Sequence, residues 1–196
     1  MTSGAAALKT DLVILAAGKS SRFGSLKGFA KYKDTPLLES AIKLHQDNFK
    51  GQTIVVISDD SLDYKNQLQS KFPKVIFVFN PHPEKGSFSS LQVGLTQSDS
   101  PHVFILPVDC PCRDLKTWKD LGLATKEEIH VIKPSYKQKS GHPILISKNL
   151  KNQIQQHSPT KKLNEILRDL PFEQVKYINS DDQDINKNIN TKEDLR

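Results

Sequence analysis

Short apolar runs recur along this chain, each followed by polar turn residues and then by apolar positions at helical spacing. Residues 12–15 (Leu-Val-Ile-Leu), 53–57 (Thr-Ile-Val-Val-Ile), 75–79 (Val-Ile-Phe-Val-Phe) and 103–106 (Val-Phe-Ile-Leu) carry almost no polar side chain. That is the pattern of strands covered on both faces. Further strands are predicted over 129–132 and 173–178, with a polar, basic hairpin or loop over 136–140. Leu37, Leu38, Ala41, Ile42 and Leu44 form a helical stripe, with Thr35 read as its N-cap, Pro36 at the first helical position and Gly51 as its end. Helices are also predicted over 62–72, stopped by Pro73, and over 88–95. Another carries Leu115, Trp118 and Leu121 behind an Asp114 cap, and two more span 148–156 and 160–170, the last capped by Ser158 or Thr160. The alternation predicts one α/β domain over residues 1–196. It has three layers and is doubly wound, with a mainly parallel central sheet, helices on both faces and room for antiparallel strands late in the chain.

Composition narrows the picture. At 196 residues, 26% charged and 36% hydrophobic, with a mean hydropathy of −0.49, the chain has the balance of a folded domain rather than a disordered one. No apolar run reaches membrane-spanning length, and residues 1–11 lack the apolar core of a secretory signal, so a cytoplasmic protein with no membrane partner is expected. Cys110 and Cys112 are too few for a disulfide framework or a zinc site and read as packed thiols flanking Pro111. The net charge of +6 attracts anions, but the lysines are scattered, without a basic tract or stacked aromatics. A nucleotide therefore suits the charge better than a nucleic acid does.

The densest chemistry follows the first strand. The chain breaks at Ala16-Ala17-Gly18 into a loop holding Lys19, Ser20, Ser21, Arg22, Gly24 and Lys27. Small residues let a backbone approach a ligand, successive N–H groups cradle anions, and three cations add charge. The spacing excludes the Gly-x-Gly-x-x-Gly fingerprint and the P-loop, because Lys19-Ser20 follows Gly18 and five residues separate Gly18 from Gly24. Asp109, just past the fourth strand, stands at a carboxyl edge where a carboxylate can hold Mg²⁺ against phosphate oxygens, or simply cap a turn. The loop over 80–87 leads into a helix whose Ser89 and Ser90 offer hydroxyls to a ligand, unless Ser87 or Ser89 caps it. His142 can meet a phosphate or hydrogen-bond a loop carbonyl, the structural role being favoured.

The pattern Leu15-Ala16-Ala17-Gly18-x-Ser20-x-Arg22-x-Gly24-x-x-Lys27 resembles the signature loop of nucleotidyltransferases related to the molybdenum cofactor cytidylyl- and guanylyltransferases. Asn80-Pro81, Gly86 with Ser90-Leu91, Asp109-Cys110-Pro111, Gly141-His142-Pro143-x-Leu145 and the segment 188–195 fall where that family has matching motifs. In 188–195, Asn188 and Asn190 replace the family's aspartates. The resemblance implies a fold of the nucleotide-diphospho-sugar transferase type. It also implies transfer of a nucleoside monophosphate from a nucleoside triphosphate to a phosphorylated acceptor, with molybdopterin a candidate, and release of pyrophosphate. Lys27 would then stabilise the α-phosphate and Arg22 the β- and γ-phosphates. Leu15, Ala16, Ala17, Gly18, Ser89 and Ser90 would border the nucleotide. Asp109 would hold Mg²⁺, joined by Asn190 unless that residue caps the final helix, and His142 would face the acceptor. Ala17, where guanylyl enzymes tend to carry glycine, narrows the base pocket and favours CTP. Residues 157–163 replace a glycine-rich basic segment, which leaves a sugar- or polyol-phosphate acceptor open. The two asparagines leave open a non-catalytic nucleotide-binding or cofactor-delivery module.

Overall fold

The computed structural model describes residues 9–111 and 113–195, so Cys112 and the expectation attached to it lie outside the described residues, as do residues 1–8 of the amino-terminal segment. In chain order the elements are β1 (Thr10–Leu15), β2 (Lys31–Tyr32), β3 (Thr35–Pro36), α1 (Leu37–Asn48), β4 (Thr53–Ile57), α2 (Leu62–Leu68), β5 (Val75–Phe79) and α3 (Ser87–Leu95). They continue with β6 (His102–Pro107), α4 (Leu115–Leu123), β7 (Val131–Tyr136), β8 (Lys139–Ser140), β9 (Ile144–Ser147), α5 (Lys148–Gln156), α6 (Leu163–Asp169) and β10 (Val175–Asn179). The central sheet runs β5-β4-β1-β6-β9-β7-β10, with β8 paired to β7. Within it β4 and β5, β1 and β4, β1 and β6, and β7 and β10 pair in parallel, while β9 runs against both β6 and β7.

Alternate residues of each central strand enter opposite cores. Leu12, Ile14, Val55, Ile57, Phe104 and Leu106 pack under α1, α2 and α4 against Leu38, Ile42, Tyr64 and Trp118. Val13, Ile54, Val56, Val103 and Ile105 pack under α3, α5 and α6 against Leu91, Leu95, Ile154 and Ile166. This two-sided burial is why the strands read as unbroken apolar runs. Each fully buried large side chain of this kind contributes roughly 1.5–3 kcal/mol. A third, small cluster of Phe23, Tyr32, Leu37 and Ile189 ties the loop after β1 to the segment near the end of the chain. Among the described residues no helix is long and apolar enough to cross a membrane.

Several element ends differ from the sequence expectation. Thr35 is not an N-cap; it pairs with Tyr32 in the β2–β3 hairpin, and α1 begins two residues later with no side-chain cap. The reason is the turn: Lys33 and Asp34 both adopt left-handed φ, +47° and +66°, the conformation that closes a two-residue hairpin of the twist a sheet favours. Lys137 and Gln138 close the β7–β8 hairpin in the same way, as the polar 136–140 segment suggested. Helix α1 ends at Asn48, before Gly51, and α2 at Leu68, four residues short of Phe72. Helix α6 begins at Leu163 rather than 160, with the Glu165 carboxylate accepting from the Lys162 backbone N–H, so neither Ser158 nor Thr160 caps it. Asp114 does cap α4, accepting from the N–H groups of Lys116 and Thr117.

Candidate active site

The chain moves from β1 through β4 to β5, then returns past β1 to β6. Loops leaving β1 and β6 therefore diverge from neighbouring strand ends, with Leu15 and Pro107 in register. Such a reversal of strand order opens a crevice at the carboxyl edge of a sheet.

The first wall is residues 16–29. Ser20 sits at φ +50°, and its carbonyl accepts from the N–H groups of both Phe23 and Gly24. A serine in left-handed backbone costs energy and persists where surrounding contacts hold it; here the buried ring of Phe23 supplies that hold. Ser58 Oγ donates to the Ala17 carbonyl at 2.9 Å, fixing the first turn of the loop. Past it, a 3-10 turn (Lys27–Phe29) rests on α2. The Gly28 N–H donates to the Tyr64 hydroxyl at 2.7 Å, and a Cβ at position 28 would lie 2.8 Å from the Tyr64 ring, so only glycine fits. Burial pushes the Tyr64 phenol up to about 12, which keeps its oxygen neutral and available.

The opposite wall carries Asp109, backed by residues 187–190. The Ile189 N–H donates to the Asp109 carbonyl at 2.8 Å, and the Ile189 side chain is fully buried. This clamp projects the flanking asparagines in different ways. Asn188 Oδ1 accepts from the Cys110 thiol at 3.1 Å, whereas Asn190 Oδ1 accepts from the Lys27 ammonium. Asn190 is not a helix cap: its side-chain oxygen accepts from Lys27, while the Asp194 carboxylate, within the final turn, reaches back to accept from the backbone N–H groups of Asn190 and Thr191.

Lys27 joins the walls. Its Nζ donates to Asp109 Oδ2 at 3.2 Å and to Asn190 Oδ1 at 3.0 Å. The lysine side chain is 11% exposed and the aspartate 24%, so water screens the pair incompletely. The crevice holds about 550 Å³, and Leu15, Ala17, Gly18, Lys27, Ser90, Asp109 and His142 all line it. Gly18 has ordinary φ, and a Cβ placed there would meet nothing within 4 Å, so the fold does not require glycine at this position; the free space belongs to the crevice.

Other sequence candidates are placed differently. Ala16 is buried in the sheet core rather than on the crevice wall. Ser89 is buried, its hydroxyl facing the His82 and Gly86 carbonyls and accepting from Asn80 Nδ2, so it shapes the loop while Ser87 and Ser90 face the crevice. Arg22 is exposed, outside the crevice lining, and has no hydrogen bond or ion pair among the described residues. The His142 ring is driven down to about 4, first by burial, against the Ile105 carbonyl and the Asp109 charge that pull it up. It is therefore neutral at neutral pH, and it borders the crevice from beside strand β6. Ser58 and Tyr64 were not singled out by sequence. Each acts through a backbone atom of the loop, a relationship that residue type does not reveal.

The sequence matches the MobA-like NTP transferase domain family over residues 12–175. The chain belongs to that family. A probable molybdenum cofactor guanylyltransferase of Natranaerobius thermophilus is 34% identical over 99 residues, 50% of this chain and 46% of that protein, so the match spans about half the length of that relative. A probable molybdenum cofactor guanylyltransferase of Bacillus cytotoxicus is 28% identical over 93% of this chain and 92% of its own. The molybdenum cofactor cytidylyltransferase of Escherichia coli is 25% identical over 70% of each. Among solved structures, Rv0371c of Mycobacterium tuberculosis superposes with a TM-score of 0.76 at 22% identity, covering 97% of both chains. A nucleotidyl transferase from Methanothermobacter superposes at 0.78 with 16% identity, covering 95% of this chain and 94% of that one. The mixed, mostly parallel sheet of this MobA-like domain is thus of the nucleotide-diphospho-sugar transferase type expected from its sequence.

Whether the MobA-like site suits a divalent cation can be judged from its donors. Asp109 and Asn190 turn two oxygens toward one point, marked by the Lys27 ammonium. Among the described residues no group of three or more His, Cys, Asp or Glu side chains could hold a metal. Mg²⁺ is commonly held by one or two protein oxygens together with substrate phosphates and water, so this sparse oxygen pair fits.

Proposed function

We propose that this MobA-like domain transfers a nucleoside monophosphate, with CTP the favoured donor, to the phosphate of molybdopterin or a similar acceptor, releasing pyrophosphate. The observation that carries the reading is the meeting of Lys27 and Asp109 on the wall of the crevice at the strand-order reversal, with Asn190 as a further partner of the Lys27 ammonium. An acceptor phosphate oxygen is already ionised near neutral pH, so it attacks the α-phosphorus without a protein base. A new P–O bond forms as the bond from the α-phosphorus to the α,β-bridging oxygen breaks, and the electron pair of the broken bond leaves on that oxygen with pyrophosphate. Lys27 turns from its carboxylate and amide partners to the α-phosphate oxygens, where negative charge builds. Backbone N–H groups around Gly18 border the triphosphate, and Arg22 reaches its β- and γ-phosphates from the exposed loop. Mg²⁺ held by Asp109 and Asn190 would neutralise phosphate charge when bound. Catalysis by positioning and charge neutralisation is the general pattern of phosphoryl chemistry.

The preference for CTP rests on Ala17, which is 3% exposed and lines the crevice where the base would enter. The names of the relatives include both guanylyl and cytidylyl enzymes, so the donor is tested directly. Pyrophosphate release is measured with each of the four ribonucleoside triphosphates, Mg²⁺, and molybdopterin or a polyol phosphate. Release with CTP and molybdopterin is expected. CTP binding with no release from any pairing would overturn the transferase and favour a delivery module.

A further inference from the structure

The β2–β3 hairpin joins the two walls of the crevice without lining it. It continues the turn that carries Lys27, since Ala30 alone separates Phe29 from Lys31. Lys33 at its tip holds left-handed backbone, φ +47°, a conformation that persists where contacts fix it.

Those contacts come from the wall opposite Lys27. Arg113, four residues past Asp109, donates from Nη1 to the Tyr32 carbonyl at 2.6 Å and to the Lys33 carbonyl at 3.3 Å. Asp184 accepts from the Tyr32 hydroxyl at 2.8 Å through Oδ1 and from the Lys33 ammonium at 2.7 Å through Oδ2. Asp184 stands five residues before Ile189, whose N–H holds the Asp109 carbonyl. The Asp184 carboxylate is buried, and burial is tolerated because a phenol meets one oxygen and an ammonium the other. Burial first, then the bond to Asp184, raises the Tyr32 phenol above its ordinary value of 10, so the hydroxyl keeps the proton it donates. The Tyr32 ring packs with Phe23 of the loop after β1 and with Ile189, so one residue touches both walls.

We propose that Tyr32 and Asp184 are positioning residues for transfer: through the hairpin they fix the separation of the Lys27 ammonium and the Asp109 carboxylate. This inference rests on the transferase reading for what those two groups do, and it adds what holds them in place. Neither Tyr32 nor Asp184 lines the crevice, so each acts through the walls alone. Leu15, Ala17 and Gly18, which border the nucleotide in that reading, are held by β1 and by the Ser58 bond to Ala17 rather than by the hairpin. Loosening the hairpin therefore misplaces the transfer geometry and spares nucleotide binding.

Three variants test this. Tyr32→Phe keeps the packed ring and deletes the hydroxyl. Asp184→Asn still accepts from Tyr32 and loses the ion pair with Lys33. Lys33→Gln deletes the same ion pair from a side chain that is 62% exposed, so it leaves the core intact. With CTP, Mg²⁺ and molybdopterin, kcat should fall about tenfold in Tyr32→Phe, with KM for CTP within about twofold of the wild type. Asp184→Asn and Lys33→Gln should show the same split at about threefold, since both remove one partly exposed pair. A lower Tm at wild-type kcat, or a raised KM for CTP at unchanged kcat, would overturn the positioning role. Hydrogen exchange gives a reading that needs no turnover. The Ile189 amide should exchange about tenfold faster in Tyr32→Phe while the amides of β1 and β4 keep their rates. Equal protection of Ile189 in both proteins would overturn the proposal. Faster exchange at Ile189 in a protein whose wild type releases no pyrophosphate would uphold the bracing and count against the transferase reading alone.

Discussion

The Tyr64 hydroxyl accepts the Gly28 N–H at 2.7 Å, and its ring occupies the volume that a side chain at position 28 would need. The tyrosine thereby sets the height of the turn from which Lys27 projects, without lining the crevice itself. Tyr64→Phe leaves a buried N–H without its acceptor, at a cost of about 1–3 kcal/mol. The expected kinetic result is a fall in kcat with little change in KM for the nucleotide, because in the proposed reaction Lys27 would act on charge that develops during transfer. A raised nucleotide KM at unchanged kcat would contradict this positioning role.

Lys27→Ala and Asp109→Ala should each lower turnover by at least about 100-fold, the scale of losing one preorganised charge-stabilising group. The far-UV circular dichroism spectrum should remain that of the wild type, since both side chains sit at the sheet edge rather than in its core. Wild-type turnover in either variant would remove that residue from the site.

Ala17→Gly tests the donor preference. Removing one methyl from the crevice wall should move the ratio of kcat/KM for CTP over GTP toward GTP by roughly tenfold, the discrimination one methyl-sized group provides. An unchanged ratio would place base selection elsewhere.

Burial holds the imidazoles of His45, His102 and His142 below their ordinary value of 6.5, with His142 at about 4. His45 is fully enclosed: its Nε2 donates to the Thr10 carbonyl, so its Nδ1 accepts from the Thr53 hydroxyl. A depressed folded-state value contributes stability that is complete above the unfolded value and lost as pH falls through the folded one. Tm should therefore decline between pH 6.5 and 4, and the decline should be shallower in His45→Gln. An identical pH slope in the variant would mean that His45 does not carry this linkage.

The sheet was legible because both of its faces are covered, which writes strands as apolar runs in 12–15, 53–57, 75–79 and 103–106. The crevice was legible in part because small residues and cations follow one of those strands and Asp109 another. The β2–β3 hairpin was hidden because Lys33 and Asp34 close it in left-handed backbone, without the Asn-Gly or Gly residues that advertise such turns. The direction of β9 is set by its neighbours rather than by its own residues. Ser58 and Tyr64 serve loop atoms 41 and 36 positions away.

Lys27 and its partner Asn190 lie 163 positions apart. Bringing such distant points together costs loop entropy that is recovered only after the intervening elements have condensed. Competence for nucleotide should then trail the return of secondary structure on dilution from denaturant, as stopped-flow traces of both signals would register. Partly condensed chains would not yet sequester the cell's triphosphates.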